Sequence, residues 1–159
     1  MNASSQPSAL RALLESQPVA ALATLHQGEP AVSMVPYALL PQGQGFVIHV
    51  SRLATHTADM LAHTAVALLV TAPPGSSDSP QELARASIRG PAAQIASDSA
   101  RYLEARNCYL AKFPQTEELF TFADFSLFLI QARSVRFVGG FAQASTVSAE
   151  EFVRLMGGS

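Results

Sequence analysis

The chain has 159 residues, of which 48% are apolar and only 14% are charged, and its formal net charge is −2. This length predicts a single domain over residues 1–159. The net charge is close to zero and the sequence has no long basic block, which excludes electrostatic binding to the phosphate backbone of nucleic acid. The single cysteine, Cys108, excludes an intrachain disulfide and a cysteine-based zinc site. No apolar run reaches the roughly 18 residues that cross a bilayer, so we expect a cytoplasmic protein without a membrane partner.

Apolar periodicity along the chain predicts about six strands with short turns between them and a few short helices. Hairpin connections dominate, and the order does not alternate as in a doubly wound parallel sheet, so we expect a mainly antiparallel β-barrel with peripheral helices. Pro36 cannot donate to a ladder and predicts a sheet edge, a bulge or a ligand contact. The helical segments are 8–17, 53–63, 99–113 and 148–156, and the strand-like segments are 19–26, 31–40, 46–50, 64–71, 83–96, 125–132 and 135–138.

The most informative stretch is 45–61, GFVIHVSRLATHTADML, where a strand-like run breaks at Ser51 and Arg52 and becomes a helix-like run with His56 and Thr57. Hydroxyls, an arginine, a histidine and the free N–H groups of a helix start would all point at one spot. That combination predicts an anion cradle suited to a phosphate. The alternative is that Ser51 only caps the helix and that His56 is a surface residue.

Three weaker signals come from arginines and histidines. Arg85 and Arg89 have even spacing in a strand-like segment, so both point to one face, either toward an anion or toward solvent. Arg136 precedes the run 137–141, FVGGF, whose glycines would allow a flat ligand to approach the backbone. The four histidines lack metal-ligand spacing, so no metal site is predicted, and His49 is predicted to be structural.

Four segments together resemble a known family. They are ALATLHQGEPAVSMVPYAL, GFVIHVSRLATHTADM, ARASIRGPAAQI and RSVRFVGGFAQA, and they run from about Val19 to Ala144. They resemble the pyridoxamine 5′-phosphate oxidase-like FMN-binding split barrels and, within these, the haem-utilisation (HugZ-type) branch. The resemblance implies a homodimer of six-stranded antiparallel split barrels with two FMN molecules at the subunit interface.

The resemblance also implies a set of cofactor-binding residues. The strand that matches 32–37 would run along the flavin, largely through backbone atoms, and the segment 51–53 would hold the phosphate. Arg85 would lie near the ring system, and the loop 136–141 would close over it from the partner subunit. The implied residues are Val32, Ser33, Met34, Val35, Tyr37, Ser51, Arg52, Leu53, His56, Thr57, Arg85, Arg136 and Phe141; no catalytic residue is implied.

Three departures from the family pattern limit the implied activity. Pyridoxamine-phosphate oxidases have basic residues at the positions that match Ala31, Pro36 and Leu53. A phosphorylated pyridoxamine substrate would lack its lysine here, so that activity is not carried over. The leading hypothesis is an FMN-dependent oxidoreductase of unknown substrate. The alternatives are a non-catalytic flavin carrier, a haem-binding or haem-utilisation protein with the same cleft, and a dimeric interaction module with an empty cleft.

Overall fold

A computed structural model describes residues 5–158, and it is mainly β with peripheral helices. No helix in that range has the length and apolar character that crossing a membrane requires. The elements in chain order are α1 (Ser5–Ser16), β1 (Val19–His26), β2 (Glu29–Pro36), β3 (Ala38–Leu40), β4 (Gly45–Ser51), α2 (Thr55–Ala62), β5 (Ala65–Thr71), β6 (Arg85–Gln94), α3 (Ala100–Lys112), β7 (Phe125–Ile130), β8 (Ser134–Val138), β9 (Ala144–Ser148) and α4 (Ala149–Gly157).

All strand pairs are antiparallel, and they form one curled sheet in the order β2-β1-β5-β6-β7-β4-β3, with β8 beside β6 and β9 beside β8. Strand β6 creates the curl, because its first half pairs with β5 and β8 and its last residues pair with β7. At the change of partner, a Cβ on Gly90 would lie 1.6 Å from the carbonyl oxygen of Gln131. Only glycine permits that close approach, so Gly90 allows the strand to bend instead of ending it.

The strand count is the main difference from the sequence prediction, with nine strands in place of about six. The segment 31–40 was predicted as one strand, but Tyr37 interrupts it. The Tyr37 N–H donates to the carbonyl of Pro18, and its hydroxyl donates to the carbonyl of Leu14 at 2.6 Å. Strand β9 was not predicted, because its sequence, ASTVS, is polar and short. It forms because β8 offers a full ladder of five partners.

The sequence predicts a turn at 27–30 between the first two strands and a capping box at Ser148 and Glu151, and the structure confirms a turn and a cap at these places. The first hairpin turns at Gln27 and Gly28, whose φ angles of 51° and 83° match a tight two-residue turn between twisted strands. Strand β2, which contains Pro36, is an edge strand that pairs with β1 alone among the described residues. Ser148 and Glu151 form the predicted capping box at the start of α4.

Two hydrophobic cores lie on opposite faces of the sheet. The larger core lies on the concave side and is covered by α1, α2 and α4, and the smaller one lies under α3, which packs on β3, β4 and β7. The larger includes Leu14, Tyr37, Phe46, Phe128 and Phe152, and the smaller includes Val47, Tyr109 and Leu127, whose strand positions alternate with those of Phe46 and Phe128. Because α3 packs on the convex side at β3, β4 and β7, the convex side of β1, β2, β5, β6 and β8 remains available for other contacts.

Candidate functional site

The convex side of β1, β2, β5, β6 and β8, here called the outer face, carries the side chains that alternate with the buried ones. Along β6, for example, Ala86 and Ile88 are fully buried, whereas Arg85, Ser87 and Arg89 point the other way. The strand registers place the following residues on this face: Ala21, Ala23, Val32, Met34, Ala67, Leu69, Arg85, Ser87, Arg89, Ser134 and Arg136. The outer face thus divides into an apolar half on β1, β2 and β5 and an arginine half on β6 and β8.

The apolar half consists of large side chains exposed around small ones. Val32 is 75% exposed, Met34 is 63% exposed and Leu69 is 40% exposed. Ala21 pairs with both Met34 and Leu69 across the neighbouring ladders, so the three strands form one continuous patch. A contiguous exposed apolar patch of this kind marks a surface that binds a partner or a ligand.

The arginine half carries positive charge without carboxylate partners. Arg136 lies opposite Ser87, between the positions of Arg85 and Arg89, so three guanidinium groups share this half. The described residues contain three ion pairs, and none of them includes these arginines. Arg85 donates to two backbone carbonyls, and Arg136 donates to the hydroxyl of Thr146 at 3.2 Å. The prediction that Arg85 and Arg89 share a face is confirmed.

A cavity of about 360 Å³ lies at one end of the arginine half. Arg89 and Arg133 both line it, and the backbone N–H of Arg133 donates to the carbonyl of Arg89 at 2.9 Å. The other lining residues are Thr64, Ala65, Val66, Gly90, Pro91 and Ser134. No acidic side chain lines this cavity, so it offers a concave, positively charged seat for an anionic group.

The predicted anion cradle forms a turn of residues 51–53 held against Asp124, here called the Ser51 turn. The Ser51 hydroxyl donates to Oδ2 of Asp124 at 2.9 Å and accepts from the backbone N–H of Leu53 at 3.1 Å. The N–H of Arg52 donates to the carbonyl of Asp124 at 2.6 Å, and Thr57 donates its hydroxyl to the carbonyl of Ser51. The hydroxyls of Ser51 and Thr57 and the backbone N–H groups of Arg52 and Leu53 are therefore bonded within the protein.

The remaining parts of the Ser51 turn differ in what they offer to an anion. The side chain of Leu53 is 87% exposed and apolar, whereas the N-cap residue of α2 is Ala54, which leaves the first N–H groups of α2 without a side-chain cap. Arg52 is exposed, and its guanidinium, which reaches only the carbonyl of Ala123 at 3.5 Å, remains available to an anion. A flavin phosphate placed here would meet the carboxylate of Asp124, so the turn fits that group poorly as folded.

A polar cluster between α2 and β1 was not predicted. Asp59 is 5% exposed; its Oδ1 lies 2.7 Å from Nδ1 of His26, and its Oδ2 accepts from the hydroxyl of Thr24 at 2.9 Å. The hydrogen bond with His26 holds the pKa of Asp59 below its usual range, whereas burial lowers the pKa of His56. His26 and Asp59 are 33 residues apart, and no local pattern links them. Within residues 5–158, no group of three or more potential ligands is close enough to hold a metal ion.

The other predicted residues lie in different environments. Val35 and Tyr37 are buried in the core, and Phe141 is 76% exposed in the loop after β8. Ser33 points to the concave side, and its buried hydroxyl has no hydrogen-bond partner among the described residues. Because β2 is an edge strand, its outer backbone N–H and C=O groups have no ladder partner in the described chain. Contact through backbone atoms, as the resemblance implies, is compatible with that edge.

His49 is structural, as predicted, but it is not fully hydrogen bonded. Its side chain is 7% exposed and stacks on Phe120, with 3.8 Å between ring centroids. Nδ1 of His49 has no partner among the described residues, and burial lowers its pKa to about 4. The ring is therefore neutral at physiological pH. Cys108 is half-buried, and burial raises its thiol pKa, which opposes a reactive thiolate.

Comparisons with known proteins point to one group. The sequence pattern of the family described as pyridoxamine 5′-phosphate oxidase matches residues 7–139. The chain is 33% identical over 125 residues to the chloroplastic non-canonical haem oxygenase HOZ of Arabidopsis thaliana, covering 79% of this chain and 36% of that protein. The haem-binding protein of Mycobacterium smegmatis superposes with a TM-score of 0.83 at 27% identity, covering 93% of this chain and 60% of that one.

A third relative shows the same fold at lower identity. HutZ, the haem storage protein of Vibrio cholerae, superposes with a TM-score of 0.73 at 19% identity, covering 80% of this chain and 89% of that one. The chain spans little more than a third of the Arabidopsis protein and three fifths of the Mycobacterium chain. The matched part includes every strand of the outer face, since β1 to β8 lie within the family match.

Proposed function

Because this chain belongs to the pyridoxamine 5′-phosphate oxidase family of split barrels, as its sequence predicted, we propose that it is a homodimer that binds haem at its outer face. The observation that carries this function is that one sheet face combines an exposed apolar patch with arginines that have no carboxylate partner within residues 5–158. The names of three relatives, a haem oxygenase, a haem-binding protein and a haem storage protein, support the same ligand.

The two halves of the outer face match the two parts of a haem molecule. Haem has a flat apolar macrocycle with two propionate carboxylates at one edge. Guanidinium groups bind carboxylates through paired, charge-assisted hydrogen bonds, so Arg85, Arg89 and Arg136 would hold the propionates. Val32, Met34 and Leu69 would contact the macrocycle, because burying apolar surface on both sides is favourable.

Bound haem would supply iron for oxygen or electron chemistry. The named residues of this chain bind and orient the group.

A second copy of the chain would complete the cleft. The apolar half is too exposed to be left in water without cost, and a twofold dimer buries the same patch on both subunits. The low charged fraction of 14% agrees with surface that is covered in the assembly. We also propose a cytoplasmic location, which the single cysteine supports.

Titration of the purified protein with haem tests this function. We expect a shifted Soret band that saturates at about one haem per subunit, with a dissociation constant in the micromolar range or below. Light scattering after size exclusion should give the mass of two chains. A spectrum equal to that of free haem at every ratio of haem to protein would contradict the proposal. So would a protein that remains a monomer and still binds haem with the expected affinity.

The second candidate is an FMN-dependent oxidoreductase, and two observations favour it. The family match covers most of the chain, and the free edge of β2 is available to run along a flavin through backbone contacts. The poor fit of the Ser51 turn to a phosphate counts against it. Titration with FMN followed by flavin fluorescence, and then NAD(P)H oxidation under air, distinguishes the two: a flavin enzyme would bind FMN and consume NAD(P)H.

A further inference from the structure

Asp124 occupies the place in the Ser51 turn where an external anion would bind. Its side-chain oxygen accepts a hydrogen bond from the Ser51 hydroxyl at 2.9 Å, and its carbonyl accepts one from the N–H of Arg52 at 2.6 Å. The third donor, the N–H of Leu53, is bonded to the Ser51 oxygen at 3.1 Å. A single acidic residue, together with Ser51, thus satisfies the hydroxyl and these two backbone N–H groups of the turn.

The position of Asp124 is fixed by the sheet and not by the turn alone. The next residue, Phe125, pairs with Ser51 at the end of the ladder between β4 and β7. Asp124 follows a 3₁₀ segment, Pro114–Thr121, which brings the chain back to the start of β7. The pairing of Phe125 with Ser51 therefore keeps the backbone of Asp124 next to the Ser51 turn.

The charge of Asp124 is not neutralised by a nearby cation. None of the ion pairs within residues 5–158 includes Asp124. Arg52 follows Ser51 directly in the chain, but its guanidinium does not pair with the Asp124 carboxylate. The Arg52 guanidinium instead approaches the carbonyl of Ala123. A half-buried carboxylate without a counter-ion repels a phosphate dianion, and solvent screens that repulsion only in part.

We propose that Asp124 is the residue that sets ligand preference at this turn, by excluding a phosphate group. The carboxylate of Asp124 then lies where an external anion would bind in the Ser51 turn. A ligand that places a phosphate at this turn is repelled, and a tetrapyrrole, which has no phosphate, is preferred over a flavin mononucleotide. This inference deepens the proposed haem function by naming a specificity residue, but it can be tested without haem.

Paired titrations with FMN and riboflavin isolate the contribution of the phosphate. The two ligands share the same ring and ribityl chain, so the ratio of their dissociation constants reports only on the phosphate. For the wild type we expect FMN to bind more weakly than riboflavin by about tenfold, the size expected for one nearby like charge. For Asp124→Asn, whose amide oxygen still accepts from Ser51, we expect the two ligands to bind with nearly equal affinity.

Asp98→Asn is the matched control. Asp98 lines the cavity that also contains Arg52 and Ala123, so the same charge is removed nearby without touching Ser51. We expect its FMN to riboflavin ratio to remain that of the wild type. An equal gain in Asp98→Asn would show a general effect of net charge and would overturn the role of Asp124.

Three further outcomes also decide the matter. A wild-type protein that already prefers FMN over riboflavin by about tenfold would overturn the inference. So would an unchanged ratio in both Asp124→Asn and Asp124→Ser, the second variant being made in case the first is poorly folded. Haem titration of the same variants runs in parallel, with affinity expected to stay within about twofold of the wild type, since haem has no phosphate. If no variant binds haem, the proposed function fails while the ratio test still reports on Asp124.

Discussion

The outer face and the Ser51 turn both combine arginine with hydroxyl groups, yet they use their polar groups in opposite ways. In the Ser51 turn, the hydroxyls of Ser51 and Thr57 and the N–H groups of Arg52 and Leu53 are all bonded within the protein. On the outer face, three arginines lie beside exposed apolar side chains and pair with no carboxylate of the described chain. The hydroxyls and N–H groups of the Ser51 turn are bonded internally, whereas the arginines of the outer face have no carboxylate partner in the described chain, and we therefore propose the outer face as the binding surface.

The difference follows from the free-energy cost of leaving a polar group without a partner in each region. A buried polar group without a partner costs about 1–3 kcal/mol, so the fold satisfies such groups wherever the chain can reach. An exposed arginine loses little in water and can remain free for a ligand. Polar groups that are hydrogen bonded within the protein therefore indicate a contribution to stability. Charged groups without a partner, next to exposed apolar surface, indicate a surface that binds a ligand.

The largest expected effect comes from a charge placed in the apolar half. Met34→Asp would bury a carboxylate in the dimer interface that we propose, and an unpaired buried charge is costly. We expect the dimer dissociation constant to rise by at least about a hundredfold. Sedimentation over a range of concentrations measures it.

The matched control is Leu103→Asp, because Leu103 is 59% exposed on α3, away from the outer face. It should leave the oligomeric state unchanged. A Met34→Asp protein that remains a dimer at every concentration would show that the apolar half is not the interface.

A second prediction concerns His49, the buried ring beside Tyr109 of α3 whose Nδ1 has no hydrogen-bond partner among the described residues. Its pKa is lowered by burial from 6.5 to about 4, so the unfolded chain takes up a proton that the folded chain rejects. Stability is therefore complete above pH 6.5 and is lost as the pH falls toward 4. The linkage relation gives a loss of up to about 3 kcal/mol over that interval.

Urea unfolding at several pH values measures this effect. His49→Phe keeps a ring that can stack on Phe120 and removes one titrating group, so its stability should fall less than that of the wild type between pH 6.5 and 4, the remaining loss coming from groups such as His56 and Asp59. His63→Gln removes an exposed histidine and should retain the wild-type pH profile. A His49→Phe variant with the wild-type slope would show that other groups cause the acid sensitivity.

The third prediction concerns the arginine half. Arg85→Ala combined with Arg136→Ala removes two of the three guanidinium groups that we propose hold the propionates. We expect haem affinity to fall by about 10–100-fold and to lose much of its dependence on salt. Arg101→Ala, on the exposed side of α3, is the control and should bind haem as the wild type does. Equal affinity in the double variant and the control would move the haem site elsewhere.

Much of the fold could be predicted because its signals are local. The hairpin at Gln27 and Gly28, the edge position of Pro36 and the capping box of Ser148 and Glu151 depend on residues that are neighbours in the chain. Even spacing likewise predicted that Arg85 and Arg89 share a face. Residues that carried the family resemblance predicted the split barrel itself.

The missing parts of the site depend on contacts between distant residues. Ser51 meets Asp124 across 73 positions, and His26 meets Asp59 across 33. No spacing rule links such pairs, because the sheet topology brings them together. The anion cradle was predicted from the groups that Ser51 and its neighbours offer. The contact with Asp124 depends on the pairing of β7 with β4, which no local sequence pattern predicts.

The smallest expected effect separates the two regions most directly. Ser51→Ala removes the donor to Asp124 and the acceptor for the Leu53 N–H, so we expect unfolding free energy to fall by about 1–2 kcal/mol. Haem affinity should stay within about twofold, since these groups face the protein. Ser87→Ala, on the outer face beside Arg136, should leave stability within about 0.5 kcal/mol of the wild type. If Ser51→Ala instead lowers haem affinity at unchanged stability, the Ser51 turn contacts the ligand, and its internal bonds must open when haem binds.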